Sequence, residues 1–450
     1  MKRIFLLGLV GLGIISTFIF QLAFVARHDF YVAHHFGNLI PSITGITYVF
    51  SGLLVALWLI LRNIDKKYER WLKIILLGGC VALVFVAVFT HPTRSQDIYW
   101  SLLLGKGFSH FHLNPYTTQP MVLEKDSWAY PVLTWKDMTM IYGPIWALLV
   151  GGVSAVTNSL TVALLTMKLV FAGALALCGV LFWKIMALLD IPIIKRYQLA
   201  FLLAWNPFVI QFALVDLHND VFLALSFLAS YYFLLKRNYS ASMLALLFGG
   251  FVKYVPWLFL IIPAYYLLRD VNQGNKRFVS LVKVCALGVF SAWLLYFPFG
   301  GLRPQNLVGL SSQVANVGFP TQFLPGTTLV SQFFGMSFAQ NRWFGIFFAL
   351  AVMAWCLYKN KKVLAYTFPI IFILFFGTPW FQPWYGLWVL PLLVLYLPME
   401  VIVITCIFFL ITPELVSPSI AAIQISAYTA YLYAANYFFQ LLKKKNPHVV

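Results

Sequence analysis

Residues 91–100 read HPTRSQDIYW, and they interrupt a chain that is strongly hydrophobic on both sides. The polar interruption extends from Thr90 to Tyr142 and holds four of the chain's thirteen acidic residues. In a chain this poor in acids, a group of carboxylates directly after a hydrophobic segment is the natural place to look for chemistry. The rest of the sequence is therefore best understood by working outward from this interruption.

The composition of the chain excludes a soluble fold. Of its 450 residues, 62% are hydrophobic and only 10% are charged, which is more apolar surface than a soluble protein can bury. Several segments are close to the length of about twenty apolar residues that crosses a bilayer. Segments such as 53–61 and 401–411 lack the alternation of apolar and polar residues that a β-barrel requires. The sequence predicts an all-α polytopic membrane protein.

The formal charge of +18 indicates a membrane topology and not a nucleic-acid partner. Lys and Arg form short clusters at the ends of apolar segments, as the positive-inside rule describes. The five cysteines lie singly inside apolar segments, without metal-ligand spacing. We therefore expect membrane lipid as a partner, no nucleic acid and no cofactor, and the sequence leaves dependence on a divalent metal open.

The apolar segments predict roughly 13–14 transmembrane helices. The expected spans lie near residues 4–25, 39–61, 72–90, 161–184, 197–216, 220–236, 239–252, 255–268, 278–298, 342–358, 363–377, 384–398, 400–412 and 418–440. Alternation of basic clusters with loops poor in Lys and Arg places a long outer loop at 91–140 and both termini in the cytoplasm. If the segment 141–157 crossed the membrane, the basic clusters after it would no longer fall on the cytoplasmic side. We therefore expect it to form a helix that lies at the outer leaflet and covers the site.

This topology suggests four parts of the chain. They are two N-terminal spans at 1–71, a catalytic transmembrane core at 72–298 that includes the outer loop 91–140, a further outer loop at 299–341, and a C-terminal bundle at 342–450.

Asp97 is the first candidate for chemistry. A carboxylate at the edge of the bilayer suits a general base, because partial desolvation raises its pKa. Arg94 lies three residues before it. The alternative is an interfacial carboxylate that only pairs with Arg94.

A second polar site is the sequence DLHND at residues 216–220. The i, i+4 spacing of Asp216 and Asp220 would put both carboxylates on one face if the helix continued that far. His218 and Asp220 are too few ligands to argue a metal site. The alternative is simple capping of the next helix by Asn219 or Asp220.

Two isolated cations could meet a lipid phosphate. Lys253 lies between short apolar segments, and Arg303 lies on the later outer loop. Intramembrane cations usually face an anion or a wet cavity, and Lys or Arg provides what a phosphate needs. The alternative for Lys253 is snorkelling to the interface.

An aromatic turn near the C-terminal end reads TPWFQPWYGLW, residues 378–388. Trp380, Trp384 and Tyr385 could belong to an ordinary interfacial belt. The prolines and Gln382 favour a shaped turn, and aromatic faces beside a few polar groups suit stacking against sugar rings.

The order of these motifs resembles membrane glycosyltransferases of the C superfamily, and more narrowly the bacterial polyprenyl-phosphate-mannose-dependent mannosyltransferases. The resemblance covers roughly residues 75–400 and rests on four matches. These are Asp97-Ile98-Tyr99 followed by Asn114-Pro115-Tyr116, then Tyr142-Gly143-Pro144, then Asn206-Pro207 with His218-Asn219-Asp220, and finally Phe381-Gln382-Pro383-Trp384-Tyr385.

The resemblance implies an inverting glycosyltransferase in a bacterial plasma membrane, with its active site outside. It would move a hexose, here mannose, from a polyprenyl-phosphate donor to a hydroxyl of a glycan, lipid or protein acceptor. Asp97 would be the base and Asp220 would assist it. The residues expected to bind substrate are Arg94, Tyr142, His218, Asn219, Lys253, Arg303, Trp380, Gln382, Trp384 and Tyr385. The alternative is a lipid or sugar transporter or flippase without transferase chemistry.

Overall fold

The computed structural model of this chain describes residues 2–27, 36–129, 135–270, 274–310, 335, 338–374 and 382–411. No β-strand occurs in these ranges, so the all-α prediction is confirmed. In chain order the α-helices are α1 Lys2–Arg27, α2 Phe36–Leu61, α3 Glu69–Phe89, α4 Asp97–Phe111, α5 Pro144–Ala155, α6 Leu160–Leu188, α7 Ile193–Ala204, α8 Pro207–Val209, α9 Asp220–Leu235, α10 Tyr239–Val252, α11 Ile261–Asp270, α12 Gly274–Tyr296, α13 Phe338–Tyr358, α14 Lys362–Phe372, α15 Leu390–Leu393 and α16 Met399–Ile411.

Four helices in the described ranges are long and apolar enough to cross a membrane: Lys2–Ala23, Lys66–Phe89, Leu160–Leu188 and Arg277–Phe299. A fifth span results if α7 and the following helical segment up to Val215 count together, with a bend of 42° between them. The bend falls at Pro207, whose ring cannot continue a helix from the preceding turn. Further apolar helices are shorter, so the expected total of about 13–14 spans stays a prediction. The expected span at 418–440 lies outside the described residues.

The chain falls into two compact units that interleave in sequence. The first comprises Met1–His91, Phe182–Val215 and Thr321–Val450. In it α1 packs against α2 and α3. The indole of Trp205 lies so close to Gly11 of α1 and Gly79 of α3 that a Cβ at either glycine would overlap it. Small residues here let an aromatic ring fill the space between two helices.

The second unit comprises Pro92–Leu181 and Asp216–Pro320, and it contains the polar interruption from Pro92 onward. The expected outer loop is not all loop, because α4 occupies fifteen of its residues. A Cβ at Gly105 of α4 would lie 2.6 Å from the Val150 carbonyl oxygen of α5. The two helices therefore pack backbone against backbone, which glycine alone permits. The division of the chain into four parts, which rests on the expected topology and function, stays a prediction.

Helix α5 has twelve residues and is about 18 Å long, which is too short to cross the hydrocarbon. Its C-terminal end contacts the interruption that precedes it. His110 contacts the Ser154 carbonyl at 2.8 Å, and the Trp128 indole donates to the Asn158 carbonyl at 3.1 Å. These contacts support the prediction that 141–157 returns to the side from which it starts.

Candidate active site

Asp97 is held at the start of α4 with its carboxylate partly exposed. The Ser95 hydroxyl accepts a hydrogen bond from the Asp97 backbone N–H at 3.1 Å. Side-chain hydrogen bonds from Ser95 and the Trp135 indole reach the carboxylate. The side chain keeps 19% of its surface exposed, so a substrate can reach it. Its charged and titratable neighbours include His218, Lys253 and Asp220.

The DLHND stretch forms a turn and not a continuous helix. A π-helical segment ends at Val215, Leu217 has a left-handed φ of 58°, and α9 begins at Asp220. The helix breaks between Asp216 and Asp220, so the condition under which the two carboxylates would share one helical face is not met. Asn219 occupies the N-cap position of α9, but its side chain makes no capping hydrogen bond.

The turn brings His218 to Asp97. The His218 Nδ1 lies 3.7 Å from the Asp97 Oδ2, and the imidazole is buried. This distance is an electrostatic contact and longer than a hydrogen bond. The base expected on the first outer loop and the histidine of the second motif are thus parts of one site.

Asp220 forms a buried ion pair with the isolated lysine. The Lys253 Nζ donates to the Asp220 Oδ1 at 2.8 Å, and it lies 5.4 Å from the centre of the Tyr142 ring. The Asp220 side chain is 1% exposed and that of Lys253 is 13% exposed. Lys253 therefore faces a carboxylate and an aromatic ring, which argues against snorkelling as its only role.

The Tyr-Gly-Pro motif explains how Tyr142 meets Lys253. The Gly143 N–H donates to the Val252 carbonyl at 2.8 Å, directly before Lys253 in the chain. A Cβ at Gly143 would overlap the Phe251 carbonyl oxygen. Pro144 then begins α5, where its missing N–H costs nothing. Each member of the motif thus has a local reason to be present.

The surroundings raise the pKa of Asp97 and lower the pKa of His218. Burial, reinforced by the negative charge of Asp220, raises the pKa of Asp97 to about 6, while Ser95, Lys253 and Trp135 oppose that rise. Burial, and then the positive charge of Lys253, lowers the pKa of His218 well below its ordinary value. At neutral pH the site therefore holds an ionised Asp97 beside a neutral imidazole. A carboxylate with a pKa near the working pH suits general-base catalysis.

Comparison with known protein families identifies the family of the chain. Residues 5–269 match the family model described as alpha-(1->6)-mannopyranosyltransferase, N-terminal domain. The chain belongs to this family. The match confirms the resemblance to membrane mannosyltransferases and makes the protein a glycosyltransferase that handles mannose. No curated protein and no solved structure is similar enough to count as a match.

The family match covers the central residues of the site, namely Asp97, His218, Asp220 and Lys253. Other expected substrate residues of this mannosyltransferase have different surroundings. Arg94 donates its backbone N–H to Asp216 at 3.2 Å. The Asn219 Nδ2 is buried and has no hydrogen-bond partner in the described part of the chain.

Arg303 is exposed on a turn that the Asn-Pro-Tyr motif holds in place. The Asn114 Nδ2 donates to the Phe299 carbonyl at 2.9 Å and to the Asn306 Oδ1 at 3.1 Å. Tyr116 of the same motif donates its hydroxyl to the Tyr142 carbonyl at 3.1 Å. No contact between Arg303 and the acids of the site is present among the described residues, so its role stays a prediction.

The aromatic turn lies in the first compact unit. Gln382 precedes a 3₁₀ turn that contains Trp384 and Tyr385. The Trp384 ring centre lies 6.0 Å from that of Phe212, and the rings of Tyr385 and Trp388 stack at 4.8 Å. Trp380 lies outside the described residues. Sugar stacking by this turn stays a prediction.

Sequence reasoning overlooked two residues near this candidate site. Trp135 forms a side-chain hydrogen bond with the Asp97 carboxylate, and no local sequence pattern indicated this role. Lys168 is a single cation inside the apolar helix α6, the same signal that drew attention to Lys253. Among the described residues, no group of three or more His, Cys, Asp or Glu side chains could hold a metal ion.

Proposed function

We propose that this mannosyltransferase moves a mannosyl residue from polyprenyl-phosphate-mannose to an acceptor hydroxyl on the outer face of the plasma membrane, with inversion at the anomeric carbon. The observation that carries the proposal is the partly exposed Asp97 carboxylate beside a buried Asp220–Lys253 ion pair. A base and a cation are the two groups that transfer from a lipid phosphate needs.

Asp97 takes the proton of the acceptor. As the acceptor oxygen bonds to the anomeric carbon, its proton passes to the carboxylate, whose pKa of about 6 leaves it ionised at neutral pH. The bond between the anomeric carbon and the phosphate oxygen breaks, and the lipid phosphate leaves with the electron pair. Attack opposite the leaving group needs one base and no covalent intermediate, so configuration inverts.

Exposure separates the roles of the two carboxylates. Asp97 is 19% exposed, whereas Asp220 is 1% exposed and bonded to Lys253. A hydroxyl arriving from outside can reach the first but not the second without breaking an ion pair. Asp220 therefore serves as the group that holds the cation, and Asp97 serves as the base.

Lys253 stabilises the leaving lipid phosphate. The phosphodiester of the donor gains negative charge as it becomes a phosphate monoester, so a fixed ammonium favours the transition state. Asp220 and the Tyr142 ring orient that ammonium before substrate arrives. Preorganisation of this kind avoids reorganisation during the reaction.

Inversion has a consequence for the donor. The family description names an alpha-(1->6) linkage. If this enzyme forms the same linkage by a single inversion, the mannose of the donor must be β-linked to phosphate, and the acceptor group is the primary hydroxyl at position 6 of a sugar. A glycan acceptor follows from that hydroxyl.

The test is transfer by the purified protein in detergent. Radiolabelled polyprenyl-phosphate-mannose of each anomeric configuration and a nucleotide-linked mannose are offered with glycan acceptors, with and without a chelator. The proposal predicts an α-(1→6)-linked product from the β-linked lipid donor alone. Use of the α-linked lipid or of the nucleotide donor would overturn it. Movement of the lipid across vesicles without a product would favour the flippase alternative.

A further inference from the structure

A buried lysine and a buried aspartate interact next to the site. Lys168, on the membrane-spanning α6, interacts electrostatically with Asp216, and the two residues are 2% and 0% exposed. Charges inside an apolar span are costly, and they occur mainly where they are paired and used. The reaction described above makes no use of either residue.

Asp216 binds the backbone that leads to the base. Its Oδ1 accepts hydrogen bonds from the N–H groups of Thr93 at 2.8 Å and Arg94 at 3.2 Å. Thr93 is 4% exposed, so the first of these bonds lies out of water. The Asp216 carboxylate thus fixes two consecutive peptide groups, and Asp97 follows three residues after the second.

The same turn also carries the histidine beside the base. His218 follows Asp216 by two residues, and its imidazole lies 3.7 Å from the Asp97 carboxylate. The turn therefore meets the segment of Asp97 at two points, through hydrogen bonds from its backbone to the Asp216 carboxylate and through the nearby His218 side chain.

We propose that Asp216, which interacts electrostatically with Lys168, is a positioning residue that sets the place of Asp97 relative to His218 and the Asp220–Lys253 pair. The proposal rests on the proposed function, because Asp97 matters here as the base. A displacement of about 1 Å at a reacting group can cost on the order of 10²-fold in rate. Two charge-assisted hydrogen bonds to the backbone are a direct way to prevent such a displacement.

Substitution of Asp216 by Ala removes the acceptor and tests positioning. We expect kcat to fall roughly 10- to 100-fold, with the KM for the donor nearly unchanged. The matched control is Asp126→Asn, which removes the ion pair between Lys106 and Asp126 in the same unit, whose side chains are 10% and 14% exposed, respectively. That pair does not touch the segment 93–97, so kcat should stay close to that of the wild type.

The pH profile separates positioning from general stability. Once the segment is loosened, Asp97 gains solvent, and the acidic limb of the rate profile should move to lower pH in Asp216→Ala but not in Asp126→Asn. The groups that face Asp97 and contribute to this limb are Ser95, Trp135, His218, Asp220 and Lys253. The proposal would be overturned if a folded Asp216→Ala protein had the same kcat as the wild type and the same acidic limb in its pH–rate profile.

If Asp216→Ala does not fold, a comparison of Lys168→Met with the double variant Lys168→Met and Asp216→Asn provides the test. Lys168→Met leaves the buried carboxylate without its ammonium, whereas Lys168→Met combined with Asp216→Asn leaves neither charge and keeps the amide oxygen as an acceptor. We expect the double variant to be at least several-fold more active than Lys168→Met. A double variant no better than the single one would contradict the proposal.

Wild-type protein and Asp97→Asn are assayed alongside. If the wild type is inactive with the lipid donor, or Asp97→Asn is fully active, the proposed function itself fails. If both behave as expected and the Asp216 and Lys168 variants do not, only the positioning role fails.

Discussion

At Asp97 the protein keeps a carboxylate shielded and still reachable. Most of the side chain is covered, which raises its pKa to about 6, and about a fifth of its surface is exposed, where the acceptor hydroxyl of the proposed reaction would approach. The neighbouring His218 is held neutral by burial and by the charge of Lys253. It therefore adds no positive charge that would weaken Asp97 as a base.

The pH dependence follows from the raised pKa of Asp97. A general base must be deprotonated, so kcat/KM should rise with pH through an inflection near 6 and then level off. The control Asp137→Asn alters an exposed acid of the same interruption and should keep that inflection. A rate that is flat between about pH 5 and 8 in the wild type would contradict the assignment.

Removal of the ammonium of Lys253 should affect the donor first. Lys253→Met should raise the KM for the lipid donor roughly 10- to 100-fold, the value of one hydrogen bond to a charged group, with less effect on the acceptor. Because this change leaves Asp220 as a buried lone carboxylate, the double variant with Asp220→Asn is measured beside it. Lys125→Met, on the exposed part of the interruption, is the control. An unchanged kcat and an unchanged donor KM in both Lys253 variants would remove the phosphate role.

At the scale of elements, two close approaches place the site. Gly105 lets α4 lie directly against α5, and Gly143 lets the start of α5 lie against the end of α10. Tyr142 therefore faces Lys253, and Asp97 begins the helix that packs beside them. The polar residues come from segments far apart in sequence because these glycines allow their backbones to touch.

Replacement of Gly143 by Ala should separate these elements. The new Cβ overlaps the Phe251 carbonyl, so the bond from Gly143 to Val252 must lengthen and Tyr142 must move off Lys253. We expect a loss of about 1–3 kcal/mol in stability and a rate lower by on the order of 10-fold or more. Gly152→Ala, on the same helix with no atom within 4 Å of a new Cβ, is the control. Equal thermal stability and activity in the two variants would refute this role.

The sequence predicted apolar helices well and polar turns poorly. Hydropathy marks α3 and α6 closely, because a span needs an unbroken apolar run. It did not reveal α4, which mixes apolar and polar residues, or the break at Leu217, which depends on a left-handed residue that no glycine signals. The pairing of Asp220 with Lys253 joins two helices, and spacing along the chain contains no information about it.

At the scale of the whole molecule, the family match and the long apolar helices establish a membrane mannosyltransferase. The side of the membrane that the site faces is a prediction from the distribution of Lys and Arg. Within the second compact unit, the contact of Trp128 with Asn158 joins the two ends of the stretch that contains α5. Both ends should therefore be on one side.

Cysteine labelling tests that arrangement. Ser127→Cys and Asn158→Cys introduce thiols at exposed positions before and after α5. Both should react with a membrane-impermeant reagent added outside intact cells, above the background of the five native cysteines. Labelling of Asn158→Cys only after the membrane is opened would mean that α5 crosses and that the assigned topology is wrong.

The central claim is that Asp97 removes the proton of the acceptor, and the direct measurement is turnover of Asp97→Asn at saturating donor. Asparagine keeps the shape and hydrogen bonding of the side chain but cannot take the proton. The account predicts a loss of about 10²–10⁴-fold in kcat, with donor binding unchanged and with Asp137→Asn fully active. Near-normal turnover of Asp97→Asn, above all beside an inactive Asp220→Asn, would contradict it.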